Sequence, residues 1–120
     1  MTYFAYPPGT MRPARIGAGM THHFALSVPD EDALHSWRDA LNANGVPTTD
    51  VRDRAYFKSI YLNDPDGHII ELATKTPGFA TDEDPGRLGQ ALQLPPWLEH
   101  RRHENESNLA PLSVPDPAGR

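Results

Sequence analysis

The sequence contains no cysteine. That excludes a disulfide framework, a thiolate metal site and a cysteine nucleophile. No stretch approaches the ~20 consecutive apolar residues that a membrane-spanning helix requires. Met1 to Ala18 lack the basic start and apolar run of a signal peptide. The expectation is a cytoplasmic protein with no membrane partner. Positive charge is also scarce: 11 Lys and Arg stand against 16 Asp and Glu, a net charge of −5. The basic residues form no stripe, so nucleic acid is not an expected partner. Apolar residues make up only 38% of the 120, while 13 prolines and 9 glycines interrupt the pattern. Much of the chain therefore cannot be regular core. The composition suits a small folded unit with irregular flanks, or a subunit that gains stability by assembly.

Residues 1–18 read as an N-terminal arm, broken by Pro7, Pro8, Gly9, Pro13 and Gly17, whose Tyr3, Phe4 and Tyr6 need a surface to dock on. Met20 to Val28 reads as a strand, with Phe24, Leu26 and Val28 on one face and His23, Ala25 and Ser27 on the other. Asp30 to Asn44 has the period of a helix. Asp30 suits the N-cap, Glu31 and Asp32 suit the positive end of the helix dipole, and Gly45 suits the left-handed residue after the last turn. Ala33, Leu34, Trp37, Ala40 and Leu41 form its expected apolar face. Three strands are expected next, at Thr48 to Arg52, Tyr56 to Asn63 and His68 to Thr74, with a tight turn at Asp64-Pro65-Asp66-Gly67 between the last two. Residues 19–76 thus read as an α+β module in the order β-α-β-β-β. A C-terminal extension follows over 77–112, with a helical turn near Arg87 to Leu92 and a helix opened by Pro95-Pro96-Trp97 and running to about Leu109. Residues 113–120 read as a disordered tail.

The face turned away from the helix carries the chemistry. Alternation places His23, Tyr61 and Glu71 on it, among the small residues Ala25, Ser27, Ser59 and Ala73, which leave room for a ligand. Glu71 interrupts Ile69-Ile70-Glu71-Leu72-Ala73 in mid-strand, where a buried carboxylate costs several kcal/mol unless it is paired or metal-bound. The structural alternative is a carboxylate on a solvated sheet face, or one paired with Arg52 or Arg54. His23 alone reads more readily as a structural histidine than as a ligand. His22 is expected to point the opposite way, toward the side of Phe24. Together a His and a carboxylate favour Fe(II), Mn(II), Zn(II) or Ni(II) without choosing among them. Two ligands are too few for a tight site, so others must come from elsewhere. His100 and His103 stand one turn apart on a polar helix and read as solvated surface.

His22-His23-Phe24-Ala25-Leu26, the Trp37 helix, Asp53 to Tyr61 and Asp64 to Leu72 resemble the vicinal-oxygen-chelate superfamily of glyoxalases, bleomycin-resistance proteins and extradiol dioxygenases. Asp53-Arg54-Ala55-Tyr56-Phe57 and Leu94-Pro95-Pro96-Trp97-Leu98-Glu99 are similar to the C-terminal module of its hydroquinone- and catechol-cleaving dioxygenases. The resemblance implies a cupped mixed sheet, His23 and Glu71 as metal ligands, and Tyr61 hydrogen-bonded to the metal-bound ring oxygen. It also implies Arg54 and His22 as groups that hold the substrate and manage protons. Those enzymes carry two such modules, and this sequence matches the second. The expected remedy is a homodimer that brings two modules to one metal. The expected function is an Fe(II)-dependent ring-cleaving dioxygenase acting on a small aromatic diol with O₂, Mn(II) being the other candidate metal. The alternatives are a glyoxalase-like isomerase or lyase using Zn(II) or Ni(II), and a non-catalytic aromatic-binding or resistance protein. Asn105 departs from the apolar character expected of the family's tail helix.

Overall fold

The computed structural model describes residues 4–12 and 15–111. Tyr3 and the tail 113–120 lie outside the described residues. The chain divides into two compact units, one running to Thr81 and the other beginning at Asp82.

The first unit contains the expected α+β fold. It contains β1 (His23–Ser27), α1 (Glu31–Ala43), β2 (Arg52–Asp53), β3 (Lys58–Asn63) and β4 (Ile69–Ala73). The sheet order is β1-β4-β3-β2. β1 runs parallel to β4 because α1 carries the chain back across the sheet, and the other pairs are antiparallel. Local chemistry sets the ends of α1. The Asp30 carboxylate accepts the Ala33 amide at 2.8 Å, satisfying one of the donors a helix start leaves open. At the other end Gly45 adopts φ 76°, and the Val46 and Gly45 amides donate to the Leu41 and Asn42 carbonyls at 2.9 and 3.0 Å. This is the paired-bond ending that glycine permits. The β3–β4 turn forms around Asp64, whose carboxylate accepts the amides of Asp66 and His68, each at 2.9 Å.

α1 lies on one face of the sheet. Val28, Leu34, Ile60 and Leu72 form the buried core, flanked by Ala33, Leu41, Val51 and Leu62. The apolar arc of α1 is wider than the surface beneath it. Leu34 and Leu41, seven residues apart, face the sheet, whereas Ala33, Ser36, Trp37 and Ala40 line an open groove. Trp37, expected on the apolar face of α1, is 53% exposed. Phe4 and Tyr6 of the arm are likewise exposed.

The strand expected at 48–52 is also corrected. Thr48 makes an isolated bridge to Leu62, and regular pairing resumes only at Arg52. The cause is a side chain: the Tyr61 amide donates to the Thr49 hydroxyl at 3.1 Å, which takes the place of a backbone acceptor and interrupts the ladder. The loop is held from α1 by Asn42, whose carboxamide both donates to the Thr48 hydroxyl and accepts its amide.

In the second unit the first helical turn spans Pro85–Arg87 rather than 87–92. Asp84 determines this, accepting the Gly86 amide at 2.7 Å. The tail helix begins as a 3₁₀ turn at Pro96–Arg101 and becomes α2 only at Arg102–Asn108. Arg102 organises it by binding Glu99, Glu106 and the Leu92 carbonyl. The Asn105 carboxamide nitrogen is buried with no hydrogen-bond partner. No helix among the described residues is long and apolar enough to cross a membrane.

Candidate metal and aromatic-ring site

Strand register builds the site on the face opposite α1. Glu71, on the central strand β4, stands in one row with Tyr61 of β3 and Ala25 of β1. His23 stands one row away, level with Ile69. Glu71 is 3% exposed, so its carboxylate needs partners, and it has them. Its Oε2 lies 3.1 Å from His23 Nε2, and its Oε1 accepts the Tyr61 hydroxyl at 2.6 Å. Arg54 donates to the same hydroxyl at 3.1 Å, and its guanidinium stacks over the Tyr61 ring, 5.3 Å from the centroid. The result is a directed chain from Arg54 through Tyr61 to Glu71. Of the small neighbours on this face, Ala25 and Ser27 are exposed, whereas Ser59 is fully buried and its hydroxyl has no hydrogen-bond partner.

Arg54 reaches the site from a tight turn. The Tyr56 amide closes on the Arg54 carbonyl at 2.8 Å around Ala55, which has φ 65°. This is a γ-turn of the unfavourable hand. Asp53 secures it by accepting the Ala55 amide at 2.8 Å.

His22 is not on the opposite side from His23. β1 begins at His23, so strand alternation does not extend back to His22. The two Nδ1 atoms lie 2.8 Å apart. For His23 to offer a lone pair at Nε2 it must carry its proton on Nδ1 and donate it to His22, which then carries its own proton on Nε2. In the reverse arrangement His22 donates to His23, and His23 Nε2–H faces the Glu71 carboxylate; binding a metal ion would require the first. His22, Arg54, Tyr61, Asn63 and Ile69, with the loop 47–49, line an open cleft of about 440 Å³.

His23 and Glu71 suit one metal ion. Ligands at ~2.1 Å on adjacent octahedral positions stand about 3.0 Å apart, and on a tetrahedron about 3.4 Å. The observed 3.1 Å is that of a direct contact between the two side chains, and an octahedral ion could be admitted with little change in their separation. Tyr61 occupies the other Glu71 oxygen, leaving a single oxygen for the ion. Among the described residues no third His, Cys, Asp or Glu joins the pair.

The model of the Glyoxalase/Bleomycin resistance protein/Dioxygenase superfamily matches residues 2–72. The chain belongs to this superfamily. MhqA of Bacillus subtilis (strain 168), named a candidate ring-cleaving dioxygenase, is 43% identical over 98 residues, covering 82% of this chain and 31% of that protein. The chlorohydroquinone/hydroquinone 1,2-dioxygenase of Sphingobium indicum is 37% identical over 100 residues, covering 81% and 29%. A crystal structure described as a candidate dioxygenase from Bacillus subtilis superposes with a TM-score of 0.78 at 37% identity, over 84% of this chain and 33% of that one. The chain thus spans about a third of the length of the curated relatives it matches.

Sequence reasoning missed three contributors to the site. Thr49 carried no signal, because its role depends on a bond to the amide of Tyr61. Ala55 carried none because alanine does not favour positive φ. Asn63 ends β3, and alternation from Tyr61 would have placed it on the same face.

Proposed function

We propose that this chain forms half of a metal-dependent ring-cleaving dioxygenase for hydroquinone- or catechol-like aromatics, with O₂ as co-substrate. The other half would be a second copy of the chain. The observation that carries the reading is the contact between His23 and Glu71, with the carboxylate backed by Tyr61 of β3 and, through it, by Arg54 of the preceding turn. The named activities of the relatives support the ring chemistry.

Fe(II) is the proposed metal, with Mn(II) as the other candidate; either would polarise a bound diol and bring it beside O₂. The residues of the chain supply the rest. His23 and one oxygen of Glu71 would hold the ion. Tyr61, poised between Glu71 and Arg54, would hydrogen-bond a substrate oxygen by turning its hydroxyl from the carboxylate. Arg54 would stabilise negative charge on that oxygen. His22, joined to His23, would hold a proton at Nε2 at the edge of the cleft.

A second copy is favoured by two features besides the ligand count. β1 is an edge strand, so one side of its backbone has no strand partner among the described residues. The exposed Leu26 and Trp37 give the same module apolar surface to cover. Two modules about a two-fold axis would bring two His23 and one Glu71 to a shared ion, leaving three of six positions for a diol and O₂.

The test combines light scattering with elemental analysis on one anaerobic preparation, followed by oxygen uptake with substituted hydroquinones and catechols. A dimer holding about one iron or manganese per two chains, with uptake abolished in His23→Ala, is expected. Full metal loading without oxygen uptake on any ring would overturn the dioxygenase reading. Turnover by the zinc or nickel form without oxygen would move it to an isomerase or lyase.

A further inference from the structure

Asn63 is the last residue of β3 and lines the cleft beside Tyr61 and Ile69. Register places it level with Ile69, and Ile69 level with His23. The three form one row, with His23 and Asn63 on the strands flanking Ile69. Two inter-strand spacings separate those outer strands, roughly 9.6 Å.

The other polar side chains around the cleft are committed. Thr48 is bound by Asn42, and Thr49 is bound to the Tyr61 amide and the Asp50 carbonyl. Tyr61 is shared by Glu71 and Arg54, and His22 is bound to His23. Among the described residues, Asn63 is the one polar side chain lining the cleft with no partner for its donor or acceptor.

We propose that Asn63 is a specificity-determining residue that hydrogen-bonds the ring oxygen farthest from the His23–Glu71 end, favouring para-diols over ortho-diols. The assignment rests on the ring-binding function proposed above. A ring anchored by one oxygen near His23 and Glu71 would lie over the apolar Ile69 side chain. Its axis would then follow the row toward Asn63. A para hydroxyl lies on that axis and reaches the carboxamide. An ortho hydroxyl stays beside the anchored oxygen and does not. A carboxamide both donates and accepts, so it matches a phenolic hydroxyl in either sense.

The test is anaerobic titration of the full metal-loaded chain with hydroquinone, catechol and phenol. Without O₂ these titrations read binding alone. The unsubstituted protein is expected to bind hydroquinone about fivefold more tightly than phenol, the worth of one neutral hydrogen bond. Asn63→Ala and Asn63→Leu should each lose that preference while binding catechol and phenol as before. Asn63 is exposed on the strand end, and circular dichroism on both variants checks that the module is folded. Retention of the hydroquinone preference in both variants overturns the assignment and leaves the ring-binding function standing. Failure of the unsubstituted protein to bind any of the three rings overturns both.

Discussion

Replacing Tyr61 with phenylalanine tests the central claim about the site, that the Glu71 carboxylate is stable in the sheet because a phenol supports it. The substitution removes one oxygen and keeps the ring, so Arg54 still has an aromatic face to stack on. What is lost is a 2.6 Å hydrogen bond to a carboxylate that is 3% exposed. A hydrogen bond to a charged group contributes about 1.5–3 kcal/mol, and an orphaned buried acceptor keeps its full desolvation penalty. The His23 contact on the other oxygen remains, which argues for a cost near ~2 kcal/mol. The Arg54 bond to the same hydroxyl is exposed and should add little.

Urea unfolding of the metal-free protein, followed by circular dichroism, measures this. With a slope of roughly 1 kcal/mol/M for so small a module, the midpoint should fall by about 2 M. Arg54→Met, which removes the outer donor alone, should shift it by a quarter of that or less. A cycle with Glu71→Gln separates the pair from the rest, because the hydroxyl is worth less against a neutral amide. Tyr61→Phe within ~0.5 kcal/mol of the parent, and additive with Glu71→Gln, would refute the reasoning. It would mean that water serves Glu71 as well as the phenol does.

Three further outcomes are expected. Ala55→Gly should stabilise the module by roughly 0.5–1 kcal/mol in the same assay, because glycine adopts φ 65° without a Cβ penalty; Ala55→Val should destabilise it. Asn42→Ala removes both bonds to Thr48 and should cost about 1–2 kcal/mol, with faster hydrogen exchange at the Thr48 and Thr49 amides. The Lys58 ammonium, bonded to Glu31 at 2.7 and 2.8 Å, holds the Glu31 carboxyl below its ordinary 4.5. A lowered pKa means that the pair stabilises the fold above that value and ceases to do so as pH falls through it. Lys58→Met should therefore show a shallower loss of stability between roughly pH 5 and pH 3 than the parent. The difference should shrink in 1 M salt, because the pair is exposed.

The sequence made legible what depends on period alone. Two-residue alternation in two separate strands is enough to bring Tyr61 and Glu71 to one face, and a capped amphipathic stretch is enough to place α1 on the other. Where a period stops was harder to read. His22 was placed on the wrong side because nothing in Thr21-His22-His23 marks the point at which the strand begins. Trp37 shares the apolar arc of α1 yet stands exposed, because an apolar arc on a helix does not say how much sheet lies beneath it. The strand after α1 was drawn too early because Thr49 looks like a strand residue, whereas its hydroxyl takes the amide that the ladder would have used. Each error arose where a side chain competed with, or outran, the backbone pattern.

The turn at Ala55 connects local strain to the site. A hairpin tip free to choose its own geometry would avoid a positive φ at alanine. Here three interactions oppose that choice: the Asp53 carboxylate on the Ala55 amide, the Arg54 amide on the Phe57 carbonyl, and the Arg54 guanidinium on Tyr61. The first two hold the turn, and the third makes its geometry matter to Glu71. Stability and positioning should therefore separate. Ala55→Gly relieves the strain but widens the range over which Arg54 wanders, so the Tyr61 hydroxyl loses a fixed donor while the module becomes harder to unfold. A variant that is more stable in urea yet more mobile at Arg54 by NMR relaxation is the outcome this reasoning requires. Equal gains in stability and rigidity would mean that the strained turn is incidental to the site.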